Sequence, residues 1–353
     1  SVSERTGIMS LFRYSGLSTK VKAMKGRLLS PEQFREMSDL HSVPEVLSYL
    51  KKMPSYEKVL ADKDEAHLHR GAAEALVKQS LYYDFGKLYR FADLEQRVFL
   101  EDYFMRYEVI FLKNVLRYLF DSNEDRADID LSAYQAVFER HSEMDPNVLM
   151  QAESVEGLIG LLQETIYGKT LEMVGRSGKA NLFDYESALD MLFFKQLWLD
   201  ARKHLKKADL QVIQRSAGLE ADTLNIQWIH RAGKYYHMAP ADIYEFLIPI
   251  HYRLSTSQVK QLVEAESAKD FMDVLQGTVY GRDMQEAGTA QLEGICGRLM
   301  DKVHALNLRT QPYSVACLDT YLYQKEQEVN KVIKVIECVR YGLAAERIKE
   351  YLA

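Results

Sequence analysis

Apolar residues recur at helical spacing along most of the chain, and period-two alternation over strand length is rare. The stripe Val329, Val332, Ile333, Ile336 and Val339 follows the i, i+3, i+4, i+7 rule and predicts one face of a long helix. A second strongly apolar helix is predicted around Tyr107, Ile110 and Phe111, with Lys113 and Arg117 on it. The expected fold class is all-α. Only 7 prolines and 18 glycines interrupt 353 residues, as long helices require.

The pattern also repeats. Ser42-Val-Pro-Glu-Val-Leu-Ser-Tyr-Leu50 runs on to Tyr56, Ser154-Val-Glu-Gly-Leu-Ile-Gly-Leu-Leu162 to Tyr167, and Ser267-Ala-Lys-Asp-Phe-Met-Asp-Val-Leu275 to Tyr280. The serines lie 112 and 113 positions apart. Four, five and eight residues past each serine the side chains are apolar, which is one helix face. The last two copies end alike, Thr165-Ile-Tyr-Gly168 and Thr278-Val-Tyr-Gly281, and the first carries one extra residue near Pro54. Helix starts repeat as well: Ser30-Pro-Glu-Gln33 and Ser255-Thr-Ser-Gln258 are capping boxes 225 positions apart, and Ser42 to Glu45 is a third.

A fainter element aligns Tyr107 to Arg117 with Asp222 to Arg231, laying Phe111 on Asn225 at an offset of 114; Glu328-Val-Asn330 is the third copy at 105. Three helical units follow, over 1–122, 123–238 and 239–353. The acidic stretch Asp121 to Asp130 marks the first junction, and Pro240 begins the third unit. More than one packed unit also suits a length above the roughly 250–300 residues at which single cores stop growing.

Charge changes the picture little. The net charge is −6 and the pI about 5.9, against the basic excess of a nucleic-acid binder, so nucleic acid is not an expected partner. Cys296, Cys317 and Cys338 are odd in number and read as buried, reduced thiols of a cytosolic protein. Ser1 to Tyr14 lacks an apolar core of signal-peptide length. No stretch of about 18 apolar residues is present, and the most apolar segment, Tyr107 to Phe120, is broken by Lys113 and Arg117, so the chain is not expected to span a membrane.

Candidate chemistry is sparse. Gly175-Arg-Ser-Gly-Lys179 has two residues between its glycines where a phosphate loop needs four, and Ala180 follows the lysine. Asp121-Ser-Asn-Glu-Asp125 imitates a calcium loop, but Arg126 and Ser132 replace its glycine and final glutamate. His67 and His69, two apart, do not share a helix face. No Asp-Asp-x-x-Asp, Gly-x-Ser-x-Gly or His-Glu-x-x-His occurs. No catalytic residue, cofactor or metal is expected. The basic runs Lys20 to Arg27 and Arg202 to Lys207 are solvated helix faces or contacts for an acidic protein partner. Asn225 and Asn330, within apolar helices, are expected to be buried amides that fix packing. Arg117 and Arg231 are expected to be structural, pairing with acids such as Glu108 or Asp222.

The ordered set of these segments resembles one family. Tyr321-Leu-Tyr-Gln-Lys-Glu-Gln-Glu-Val-Asn330, with Glu326 and Glu328, then Ile336 and Tyr341-Gly-Leu, is similar to the Lys-Glu-x-Glu-Ile-x-Asn and Gly-Leu closing segments of the C/AC39 family of V-type and archaeal A-type rotary ATPase subunits. Arg13 to Met24 resembles the family's opening helix. Tyr107-Glu108, Leu112-Lys113 and Arg117 resemble its Tyr-Asp-x-x-Asn-Leu-Lys segment, with Phe111 in place of the asparagine, and Asp222, Asn225 and Arg231 resemble its Asp-x-x-Asn segment. The bacterial and archaeal branch is the better match.

The resemblance implies three similar helical domains in a pseudo-threefold funnel. It implies a non-catalytic central-rotor subunit, peripheral on the cytoplasmic face of the membrane and present once per complex. Its wide end would take the central-stalk shaft and its narrow end the membrane rotor ring, in ion transport driven by ATP hydrolysis or in ATP synthesis. The turns near Lys51, Lys52, Lys169 and Arg282 are the expected partner-contact rim. The alternative is a helical-repeat adaptor outside any motor, although a period near 113 fits the short repeats of about 34 to 47 residues poorly. A helical enzyme with a site unlike any known motif is the third reading.

Overall fold

The structure is a computed structural model that describes residues 2–68, 70–120, 131–176, 178–284 and 292–352. Every regular element among them is helical. The chain begins with α1 (Val2–Lys25), α2 (Pro31–Ser38), α3 (Val43–Lys51) and α4 (Glu57–Leu60), followed by two long helices, α5 (Arg70–Phe91) and α6 (Leu94–Phe120). Next come α7 (Ser132–His141), α8 (Pro146–Leu149), α9 (Val155–Leu161) and α10 (Ile166–Gly175), then the long pair α11 (Leu182–His204) and α12 (Lys207–Arg231). Last are α13 (Pro240–Phe246), α14 (Thr256–Val263), α15 (Ala268–Gln276), α16 (Gly281–Met284), the long pair α17 (Leu292–Thr310) and α18 (Ala316–Arg340), and α19 (Ala345–Leu352). Short helices followed by a long pair thus recur three times among the described residues.

The repeated serines perform the same task in each copy. Ser42, Ser154 and Ser267 cap α3, α9 and α15 by accepting the N–H of the residue three positions on. The apolar positions behind them are buried: Val46, Leu47, Leu50, Leu158, Leu162, Phe271 and Leu275. Ile159 and Met272 are only half-buried, so the expected face is narrower in the last two copies. Capping boxes at Ser30 and Ser255 have both halves in place. At Ser42 the second half is displaced: the Glu45 carboxylate accepts from the N–H of His41, one residue before the cap, at 3.0 Å. That bond lowers the Glu45 pKa.

The helices gather into two compact units. Among the described residues, one draws on Ser1–Arg97, Asp121–Gln151 and Cys317–Ala353, the other on Val98–Phe120 and Ala152–Ala316. In the first, α18 lies along α5, and α7 packs on α5 with the rings of Tyr134 and Tyr82 at 5.5 Å. Its core includes Leu47, Leu50, Phe85, Val332 and Ile336. Within the predicted stripe Ile333 is half-buried, and Val335 is buried beside the others.

In the second unit α6 runs beside α11 and α12 beside α17, where Asn307 Nδ2 donates to the Val212 carbonyl at 3.2 Å. Phe111, Leu116, Leu158, Leu189 and Ile226 form part of its core. Each such side chain, fully removed from water, contributes about 1.5–3 kcal/mol. The three cysteines are buried and free. No described helix is long and apolar enough to cross a membrane.

Candidate functional site

The three repeated tyrosines each end a short helix and point into a buried carboxylate on a long one. Tyr56 donates its hydroxyl to Glu328 at 2.9 Å, Tyr167 to Glu108 at 2.5 Å, and Tyr280 to Asp222 at 2.7 Å. All three phenols have pKa values pushed up, first by burial and then by the adjacent carboxylate, so each stays a neutral donor. The tyrosine sits in place because the apolar face of its own short helix is pinned to the core, and a tight turn follows.

In the second and third copies Gly168 and Gly281 make that turn possible. A Cβ at Gly168 would fall onto the Leu162 carbonyl, and one at Gly281 onto that of Gln276. In the first copy Glu57 holds this place, after the extra residue near Pro54.

Around Glu328 the pocket is closed and charged. Lys325, fully buried one turn before it on α18, donates to the same carboxylate at 2.6 Å and stands 4.3 Å from the Tyr56 ring centre. The other carboxylate oxygen accepts the Leu29 N–H at 2.5 Å, just ahead of the capping box at Ser30. Nearby, Tyr321 donates to buried Asp84 at 2.6 Å.

Asp222 makes the same arrangement with more backbone. It accepts the N–H groups of Tyr252, Arg253 and Leu254 at 3.1, 2.7 and 3.2 Å, just ahead of the capping box at Ser255. One turn on, Asn225 bonds Ile248 twice, donating to its carbonyl and accepting its N–H, both at 2.9 Å. Two buried side chains of α12 thereby anchor the irregular segment 247–254, which has no helix or sheet of its own to satisfy those groups.

The chain matches the ATP synthase (C/AC39) subunit family over residues 17–351. It belongs to that family. Among relatives, the C-type subunit of the A-type ATP synthase of Methanothermobacter thermautotrophicus is 23% identical over 98% of this chain and 89% of its own length. That of Thermococcus kodakarensis is 23% identical over 96% and 90%, and that of Methanosarcina mazei 24% identical over 96% and 92%. The family is one of subunits within a larger ATP synthase, in keeping with a non-catalytic chain.

The motif residues that tied the sequence to this family fall in several environments. Asp222, Asn225 and Glu328 are in the latches just described. Tyr107 is buried between the rings of Tyr103 and Phe104, with centroids 5.8 and 5.6 Å away. Arg117 pairs with Glu186 of α11 at 2.6 Å, not with Glu108 or Asp222 as expected. Arg231 is exposed at the end of α12, and Glu326 is half-buried.

Asn330 is exposed, contrary to its expected burial; α18 turns the Glu328 carboxylate inward, and a residue two positions on faces elsewhere. The third copy of the element is therefore matched through its carboxylate, 106 positions after Asp222, and carries no counterpart of Asn225. Phe111, in the asparagine's place in the first copy, is a fully buried core residue.

Of the expected rim, Lys52 and Lys169 are exposed. Lys51 is engaged with Glu65 and the Lys63 carbonyl, both at 3.0 Å, and the side chain of Arg282 lies outside the described residues. So do Asp121 to Asp130, His69, the His67 side chain and Ser177, on which the calcium-loop, histidine-pair and phosphate-loop readings fell. Among the described residues no group of three metal-ligating side chains occurs.

Sequence reasoning missed Lys325, the Tyr321–Asp84 pair and the two-pronged pairing of Arg106 with Glu220 at 2.7 and 3.2 Å. It also noted the repeated tyrosines only as endpoints. The signal for them was present: an acid recurs on each long helix at nearly the repeat offset.

Proposed function

We propose that the chain is a non-catalytic rotor part of an A/V-type ATPase, a socket that couples the central stalk to the membrane rotor ring. One copy takes the foot of the shaft at its wide end and rests at its narrow end on the cytoplasmic face of the ring. In this reading the repeat units 1–122, 123–238 and 239–353 form a pseudo-threefold funnel.

One observation carries the reading beyond family membership. The tyrosine of the second repeat is held by the long helix of the first, that of the third by the second, and that of the first by the third. Copies in an open row would leave the first tyrosine without a helix to receive it; cyclic order suits a closed set around a hollow. Close-packed helices resist deformation, as a part transmitting torque must. The lack of a described membrane-crossing helix suits a part that rests on ring loops.

Exposed Lys52 and Lys169, with Ile166 and Val279 exposed beside the repeated tyrosines, are the contact surface we assign to a partner. The test is a detergent-solubilised motor purified with and without this chain. ATP hydrolysis and ion transport are expected to be coupled only when it is present; a motor lacking it yet fully coupled overturns the proposal.

A further inference from the structure

A pocket of about 490 Å³ opens on the first unit, between α5, the start of α6 and α7. Tyr82, Tyr83 and Tyr89 supply aromatic walls from α5, and the His141 ring closes the side at 4.5 Å from Tyr89. Three guanidinium groups, those of Arg90, Arg97 and Arg140, line the same space, and no described carboxylate does, in a chain whose net charge is −6. Arg97 is fixed: its Nε donates to the Tyr89 carbonyl at 3.0 Å, and it stands 4.9 Å from the centre of that ring. Arg90 and Arg140 are exposed. Lys58 donates to the Tyr83 hydroxyl at 2.8 Å, which lowers the phenol's pKa and adds positive charge beside the wall.

Gly86 lies between these walls, well inside a 22-residue helix where glycine is among the poorest formers. Packing does not require it, because a Cβ there would meet nothing within 4 Å. The space that a side chain would fill is the pocket itself.

We propose that this pocket binds a nucleoside phosphate. Tyrosine faces accept a planar base, and arginine forks match phosphate oxygens with paired hydrogen bonds. An uncharged aromatic ligand leaves three cations unused, and a bare phosphate leaves the aromatic walls unused. The volume falls within the range of about 300–1,000 Å³ usual for small-ligand sites. The proposal stands on this pocket alone and does not depend on the motor reading.

Titration calorimetry of the full-length chain tests it, with ADP, ATP, adenosine and tripolyphosphate as probes. ADP or ATP is expected to bind saturably at one site, with adenosine and tripolyphosphate each at least about tenfold weaker. Gly86→Leu, which fills the pocket without removing charge, and Arg140→Ser, an exposed change, are each expected to weaken ADP about tenfold or more with an unaltered melting profile. Should Gly86→Leu not fold, Arg140→Ser carries the test. No saturable binding up to about millimolar ADP, tripolyphosphate bound as tightly as ADP, or wild-type affinity in a folded variant overturns the proposal.

Discussion

Tyr56 and Glu328 are 272 positions apart in the chain and meet through a 2.9 Å hydrogen bond in a buried site that also holds Lys325. The three groups are unequal in what their loss leaves behind. Tyr56→Phe removes one charge-assisted bond while the ion pair survives, so it should destabilise by about 1.5–3 kcal/mol. Glu328→Ala strands a fully buried ammonium and should cost about 3–5 kcal/mol. Urea melts of the two variants check the order. Equal losses would mean that Lys325 finds another partner or water on mutation.

Asp222 and Asn225 hold an irregular segment by its backbone, and their removal should be felt there before it is felt globally. Asn225→Leu deprives the Ile248 N–H and carbonyl of partners, each worth roughly 1–3 kcal/mol when buried and unsatisfied. Hydrogen exchange at Ile248 should accelerate strongly, with little change at Val212 in the middle of the same unit. Protection at Ile248 that outlasts the substitution would show that other contacts hold the segment.

The close turns after Tyr167 and Tyr280 give a third outcome. Gly168→Ala and Gly281→Ala each drive a Cβ into a backbone carbonyl, which cannot swing aside as a flexible side chain can. Both should lower the thermal midpoint clearly. Gly16→Ala, on an exposed part of α1 with nothing near the new methyl, should raise stability by up to about 1 kcal/mol. Scanning calorimetry of the three proteins separates turn geometry from ordinary helix propensity.

These sites differ in how far they could be read in advance. The caps and buried faces of α3, α9 and α15 were legible because both depend on neighbours within two turns of the chain. The tyrosine acceptors were not, since they lie 272, 59 and 58 positions away and local spacing carries no record of such pairings. The amide element misled for a related reason. Aligning Asn330 with Asn225 matched letters, whereas α18 places the carboxylate of Glu328 inward and Asn330 in solvent. Arg117 found Glu186 because α11 runs alongside α6, a packing that helical periodicity leaves open. The Tyr and Arg residues of the α5–α7 pocket come from separate segments and form no motif at all.

If the turns near Lys52 and Lys169 meet a partner, reversing their charge should act on assembly and spare the fold. Both side chains are exposed, and exposed charges contribute little to stability. Lys52→Glu with Lys169→Glu should leave the thermal midpoint within about a degree or two and weaken recovery of the chain with its complex, more so at low salt. Unchanged recovery at both salt concentrations would remove these turns from the interface.

Asp102 on α6 supplies a pH dependence with a definite sign. Burial pushes its carboxyl up to about 6, against the 3.2 Å contact with His204 Nδ1 that favours the charged form, and nearby Asp200 and Glu101 push it higher still. An acid whose folded pKa is raised holds its proton in the native state after the unfolded chain has released it. Stability should therefore fall as pH rises from about 4, the ordinary aspartate value, to about 6, and level off above. The loss is at most about 3 kcal/mol. Asp102→Asn should flatten that slope and melt higher than the parent at pH 7, while matching it near pH 3.5. Melting curves of both proteins from pH 3.5 to 7 decide the matter. A parent that gains stability from Asp102 across this window would mean that the His204 contact outweighs burial.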